Sequence, residues 1–205
     1  MPETKQEATK TIHCFFSGGR DSAVACYIAF QVAQRRGWAF KLVHIDTTIS
    51  IKQTREYVKH YAEWIGVELV VIKPKKTFRE YAAQYGMWPS LYPTQYRWCY
   101  FVLKLDPTTE YLEDNYRKGD IVTLGVRGPE SRFRLTKYTV AFFTRDYGKL
   151  KALVWAPLWR ATDELVERLI RRFNIRRSVE RRYGALSLAL LQGVAQQTHG
   201  AERRP

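Results

Sequence analysis

The feature that most constrains this chain is the hexapeptide Ser17-Gly18-Gly19-Arg20-Asp21-Ser22. It sits between a short apolar and aromatic run, TIHCFF at residues 11–16, and a stretch with Ala, Val, Tyr, Ile and Phe at helical spacing over residues 22–36. An apolar run that ends in small residues and passes into a helix-period pattern reads as strand, tight turn and helix. Ser17, Gly18 and Gly19 lack bulk, so the backbone can curl and aim successive N–H groups at one oxyanion, while the helix behind adds the positive end of its dipole. Ser17 and Ser22 add hydroxyl donors, and Arg20 adds a permanent charge at the rim. Asp21 reads first as a cap on the helix and second as a group that orders a metal or an attacking atom. The string is neither G-x-x-x-x-G-K-[ST] nor G-x-G-x-x-G, which excludes the two commonest glycine-rich phosphate loops.

The alternation of elements continues past this unit. Residues 40–46 (FKLVHID) read as a second strand and 68–72 (ELVVI) as a third. Between them, 52–65 reads as a helix offering Tyr57, Val58, Tyr61, Ala62 and Ile65 to a sheet. Thr77 and Glu80 have capping-box spacing, which predicts a helix to about Tyr85. Residues 86–97 hold three Tyr or Trp and two Pro, a loop that suits either packing over the sheet edge or a substrate lid. A helix over about 98–118 with a break at Pro107 follows, then a strand at 120–124 and two β candidates, 138–144 and 150–156, around a Tyr147-Gly148 turn. From Thr162, a good N-cap, the chain is expected to be helical to its end. This order predicts an α/β fold, a Rossmann-like, mainly parallel sheet flanked by helices, with ligands beyond the carboxyl ends of the strands. Two parts are expected: a nucleotide-binding α/β domain over 11–160 and a basic helical extension over 161–205 packed on it.

Of the 205 residues 45% are hydrophobic, and the formal net charge is +14. Such a surface attracts an anionic partner, whether nucleotide, nucleic acid or acidic protein. No stretch reaches the roughly 18 to 20 apolar residues of a spanning helix, and residues 1–10 lack the apolar middle of a secretory signal, so a cytoplasmic address without a membrane partner is expected. Cys14, Cys26 and Cys99 form no C-x-x-C pair, and their odd number argues against a secreted disulfide framework; Cys14 and Cys26 are expected in the core. The four histidines lack metal-ligand spacing, and no residue is assigned as a metal ligand.

Placed directly after an apolar strand, SGGRDS resembles the PP-loop of the adenine nucleotide alpha-hydrolase superfamily. Three further segments resemble one branch of it, the phosphoadenosine phosphosulfate (PAPS) reductase family. Asp46-Thr47-Thr48 is similar to that family's D-T-G, with Thr48 in place of glycine. Arg97-Trp98-Cys99 followed by Leu103-Lys104-Leu105-Asp106-Pro107 is similar to its cysteine-then-Lys-x-x-Pro segment. Gly125-Val126-Arg127-Gly128-Pro129-Glu130-Ser131-Arg132 resembles its G-x-R-x-x-E-S-x-x-R element, with Arg134 as the final arginine. The resemblance implies ATP or PAPS as ligand, with magnesium as its companion. It places Ser17, Gly18, Gly19, Arg20, Asp21, Ser22, Asp46, Thr47, Lys104, Gly125, Arg127, Glu130, Ser131, Arg132 and Arg134 around the nucleotide, with Asp21, Arg127 and Cys99 as catalytic candidates. By chemistry alone, Arg127, Arg132 and Arg134 after a strand-ending glycine form either a fork-rich anion cluster, with Glu130 orienting an arginine, or a solvated basic loop. Lys104 is either a further anion contact or a surface lysine.

The departures narrow the chemistry. Reductases of the family carry a cysteine near the C-terminus, whereas no cysteine follows Cys99 here. Without that thiolate a reductive cycle lacks its nucleophile. Trp98-Cys99 stands where iron-sulfur members have tandem cysteines, so no iron-sulfur cluster is expected. The leading reading is an adenine-nucleotide-binding, PAPS reductase-like enzyme with ATP-pyrophosphatase or sulfur/adenylyl-transfer chemistry rather than true reduction. Two alternatives stay open: a PAPS or APS reductase that uses Cys99 or a partner's thiol, and a nucleotide-dependent RNA- or DNA-binding protein that uses the arginine-rich tail at 168–182. The apolar run 185–194 offers a homodimer contact.

Overall fold

The computed structural model describes residues 9–89, 97–128 and 140–176. In chain order the elements are β1 (Thr11–Phe15), α1 (Arg20–Arg36), β2 (Ala39–Ile45), α2 (Lys52–Ile65), β3 (Leu69–Ile72) and α3 (Phe78–Tyr85). A helical stretch follows in three pieces, α4 (Trp98–Tyr100), a π-helical turn (Phe101–Leu105) and α5 (Asp106–Asn115). The chain then forms β4 (Ile121–Leu124), β5 (Phe142–Tyr147), β6 (Leu150–Trp155) and α6 (Asp163–Arg172).

The strands make one sheet in the order β3-β2-β1-β4-β6-β5. All neighbours pair in parallel except β5, which runs antiparallel to β6. This is the Rossmann-like, mainly parallel sheet the alternating elements predict. The pleat of β1 divides the core. Ile12, Cys14 and Phe16 face α1, α2 and α6, while Phe15 joins Val43, Val122 and Val154 against Tyr111 and Leu112 of α5. The chain extends one way from β1 to β2 and β3, then returns to lay β4 on the other side of β1, so the strand order reverses between β1 and β4. A crevice at the carboxyl end of such a reversal is where this architecture takes ligands.

Local sequence sets the element ends. Thr77 accepts from the Glu80 amide while the Glu80 carboxylate accepts from the Thr77 amide, the capping box the spacing predicts. Thr162 accepts from the Leu165 amide at the start of α6. This helix stops at Arg172 rather than running on, because Asn174 takes a left-handed φ of 52°. Pro107 does not break its helix either. The preceding turn is wound as a π-helix, in which the Asp106 amide donates to the Phe101 carbonyl, and Pro107 falls in the first turn of α5, where a missing N–H is tolerated.

Cys14 and Cys26 are both fully buried, and the structure joins them in a disulfide, which the reading of three separate thiols did not anticipate. Packing of α1 on β1 brings their Cα atoms to 5.7 Å, within bridging range. On the opposite face of β1 His13, also fully buried, has Nδ1 3.0 Å from the Tyr111 hydroxyl and Nε2 3.4 Å from Asp120. Among the described residues no helix is long and apolar enough to cross a membrane. The tail beyond Arg176, with residues 185–194, and Glu130, Ser131, Arg132 and Arg134 lie outside the described residues, as does much of the aromatic loop, 90–96.

Candidate functional site

The turn between β1 and α1 is tight and glycine-rich. Gly18 has φ +83°, and a Cβ there would sit 2.9 Å from the Thr54 methyl of α2, so the left-handed bend and the close packing both select glycine. Gly19, not Asp21, is the N-cap of α1. The hydroxyls stitch the loop into a ring: the Gly19 amide donates to Ser17 Oγ at 3.3 Å, Ser17 and Ser22 Oγ lie 2.9 Å apart, and Ser22 Oγ donates to the Gly19 carbonyl at 2.9 Å. Ala23 is the first helix amide to find a carbonyl, that of Gly19. The amides of Arg20, Asp21 and Ser22 donate to no acceptor among the described residues. Three such donors stand at the head of a 17-residue helix, where the helix dipole is positive.

Gly125, at the end of β4, lies against this helix start. A Cβ there would come within 2.6 Å of the Ser22 nitrogen and 3.0 Å of the Asp21 carbonyl carbon. Glycine is therefore required for β4 to approach α1. The approach carries Arg127, only 5% exposed, onto Asp21, with Nε donating to Oδ2 at 2.8 Å. Arg20 Nε donates to the other Asp21 oxygen at 2.8 Å, and both arginines also pair with Asp163 of α6, Arg20 reaching Glu167 as well. Burial alone would raise the Asp21 pKa, but the hydrogen bonds and charges of the two arginines outweigh it and hold the carboxyl below its ordinary range. Asp163 is lowered too, chiefly by Arg20, while Arg20 is raised by Asp21 and Asp163 against the effect of burial.

Both oxygens of Asp21 are thus committed to guanidinium groups. Among the described residues no three or more His, Cys, Asp or Glu side chains come together as a metal site. In this structure Asp21 is a partner of Arg20 and Arg127. Its carboxylate fixes Arg127 against the start of α1. Asp163 and Glu167 were missed because nothing local marks them: Asp163 follows the Thr162 cap like an ordinary first-turn acid, Glu167 lies one turn on, and only folding brings α6 to α1.

A cavity of about 300 Å³ opens beside the turn between β1 and α1. The carboxyl ends of β1, β2 and β4 line it through Phe16, Val43, Leu124 and Gly125, together with Ser17, Ser22, Thr47 and Lys104. Lys104, exposed on the π-helical turn, is thereby placed at the cavity rather than on remote surface. Asp46 faces a different cavity, between α2 and β3, and accepts from the Thr48 amide at 3.0 Å. Cys99 lies apart, half-buried against the Phe78, Trp98 and Leu103 cluster.

The comparisons agree with this architecture. The model of the phosphoadenosine phosphosulfate reductase domain matches residues 11–178. Two uncharacterized proteins of Methanocaldococcus jannaschii are similar, one 27% identical over 161 residues (77% of this chain, 32% of the relative), the other 39% over 103 (50% and 23%). The chain thus spans a third or less of the length of these relatives. Among solved structures, a PAPS reductase from Candida auris in a phosphate complex superposes with a TM-score of 0.59 at 18% identity, covering 84% of this chain and 77% of that one. The U34-tRNA thiolase NcsA of Methanococcus maripaludis, with its [4Fe-4S] cluster, gives 0.55 at 13% (83% and 58%). The NH3-dependent NAD synthetase of Campylobacter jejuni gives 0.52 at 15% (83% and 66%). The family match over residues 11–178, most of the chain, leads to one assignment: this chain belongs to the phosphoadenosine phosphosulfate reductase domain family.

Proposed function

We propose that the chain binds an adenine nucleotide with its phosphates on the cup at residues 17–22, and that it catalyses transfer at the α-phosphorus with release of pyrophosphate rather than reduction. One observation carries this reading: the amides of Arg20, Asp21 and Ser22 are unsatisfied, and Ser22, with Ser17, lines the cavity at the carboxyl ends of β1, β2 and β4. Amides fixed in the fold and aimed where charge develops stabilise a phosphoryl transition state without reorganising. Lys104 lines the same space, and Arg127 is locked by Asp21 at the start of α1.

The cysteines support transfer over reduction. Cys14 and Cys26 are bonded to each other beneath the loop, and Cys99 packs in an aromatic cluster away from the cup. Calorimetry with ATP and with PAPS tests the binding claim, and Arg127→Ala or Gly19→Val should weaken whichever nucleotide binds by tenfold or more. The chemical claim predicts pyrophosphate release from ATP once the acceptor is supplied. Sulfite release from PAPS that disappears in Cys99→Ser would instead establish the reductase alternative.

A further inference from the structure

A second cavity, of about 350 Å³, lies between α2 and the edge strand β3, and none of residues 17–22 lines it. Its floor is apolar, made by Val58, Leu69 and Val71, and its rim is charged. Lys52, Arg55 and Lys59 fall on one face of α2, and Lys73 follows β3. Two carboxylates line it as well, and each already has a cation, Glu56 with Lys52 at 3.6 Å and Asp46 with Arg55 at 3.9 Å. Lys59 and Lys73 have no carboxylate partner among the described residues, so the rim carries uncompensated positive charge.

His44 lines this cavity and also the one beside the cup. It is 3% exposed, and its Nδ1 lies 2.8 Å from the Phe16 carbonyl, which can only accept, so Nδ1 carries the proton. In the neutral ring Nε2 is then a lone-pair acceptor, and it is buried without a partner. A buried acceptor left unsatisfied is costly, which points to a ligand group that donates to it.

We propose that the α2–β3 cavity is a second ligand site for a small phosphate monoester that also carries an O–H or N–H donor. The phosphate meets Lys59 and Lys73, the organic body covers Val58 and Val71, and the donor satisfies His44 Nε2. Because Nδ1 of the same ring holds the carbonyl just before Ser17, occupancy of this site also steadies the start of the phosphate loop.

The test compares two esters of equal charge at pH 8, glycerol 3-phosphate, which has hydroxyl donors, and propyl phosphate, which has none. Calorimetry on the full chain should show saturable binding of glycerol 3-phosphate and about tenfold weaker binding of propyl phosphate. The exposed pair Lys59→Gln/Lys73→Gln should weaken both at least tenfold while leaving nucleotide affinity unchanged, which separates this site from the cup. Histidine-labelled protein, assigned with His44→Gln, should show the Nε2 resonance of His44 moving only with the hydroxylated ester. Absence of binding at millimolar concentration, an unaffected double lysine variant, or equal affinities with an unmoved His44 resonance each overturns the proposal.

Discussion

Thr48 shows how a single departure from the family pattern is absorbed. It stands where the D-T-G motif has glycine and takes φ +67°, a backbone region strained for a β-branched residue. Its hydroxyl compensates, accepting from the Phe78 amide at 2.9 Å and so satisfying a donor at the head of α3. Thr48→Ala keeps the strain and loses the bond, and should cost about 1–2 kcal/mol in urea unfolding. Thr48→Gly loses the bond but relieves the strain, and should stay within about 1 kcal/mol of the parent. If alanine proves as benign as glycine, the hydroxyl is not holding α3. Asp21 invites a similar contrast with Asp163. Asp21→Asn leaves the buried Arg127 with one committed carboxylate fewer and should cost about 1–3 kcal/mol. Asp163 is exposed, so Asp163→Asn should leave thermal unfolding unchanged yet tighten nucleotide binding several-fold, since a negative charge that competes for Arg20 and Arg127 is gone.

Elements were largely legible in sequence where their signal is local. The apolar run before SGGRDS, the Thr77/Glu80 box and the Thr162 cap each name a boundary through chemistry contained in a few residues. What sequence did not disclose depends on contacts made across the fold. The Cys14–Cys26 bond exists because α1 lies back on β1, and periodicity assigns both residues to the core without saying that they meet. Gly125 reads as a strand end, and only the approach of α1 shows why no side chain fits. The same holds for the Asp163 pairings and for the orphaned His44 nitrogen. Two outcomes follow at this scale. Gly125→Ala must push α1 away from β4, so it should destabilise by more than about 2 kcal/mol and abolish nucleotide binding together, and a stable variant with native affinity would refute the close-approach argument. Cys14→Ala/Cys26→Ala opens a bridge spanning 12 residues of chain, which should cost about 3 kcal/mol by loop entropy and is checked by comparing unfolding with that of the parent.

For the whole molecule, pH gathers these local terms into one curve. His13 is buried, and the loss of hydration outweighs the pull of Asp120, so its folded pKa lies below the ordinary 6.5. As pH falls past about 6.5 the unfolded chain takes up a proton that the folded chain refuses, and stability declines. Asp21 acts lower on the scale, its folded pKa being depressed by Arg20 and Arg127. Its contribution is fully present above the unfolded value near 4 and is lost as pH falls through the folded value. A formal net charge of +14 adds self-repulsion that grows in acid, and salt screens it. Urea titrations at about 0.5 M salt should therefore show a first decline between roughly pH 7 and 5 and a second below about pH 4. His13→Gln should flatten the first limb and spare the second, while Asp21→Asn should do the reverse. A first limb that persists unchanged in His13→Gln would assign it to another group and remove the buried neutral histidine from the account.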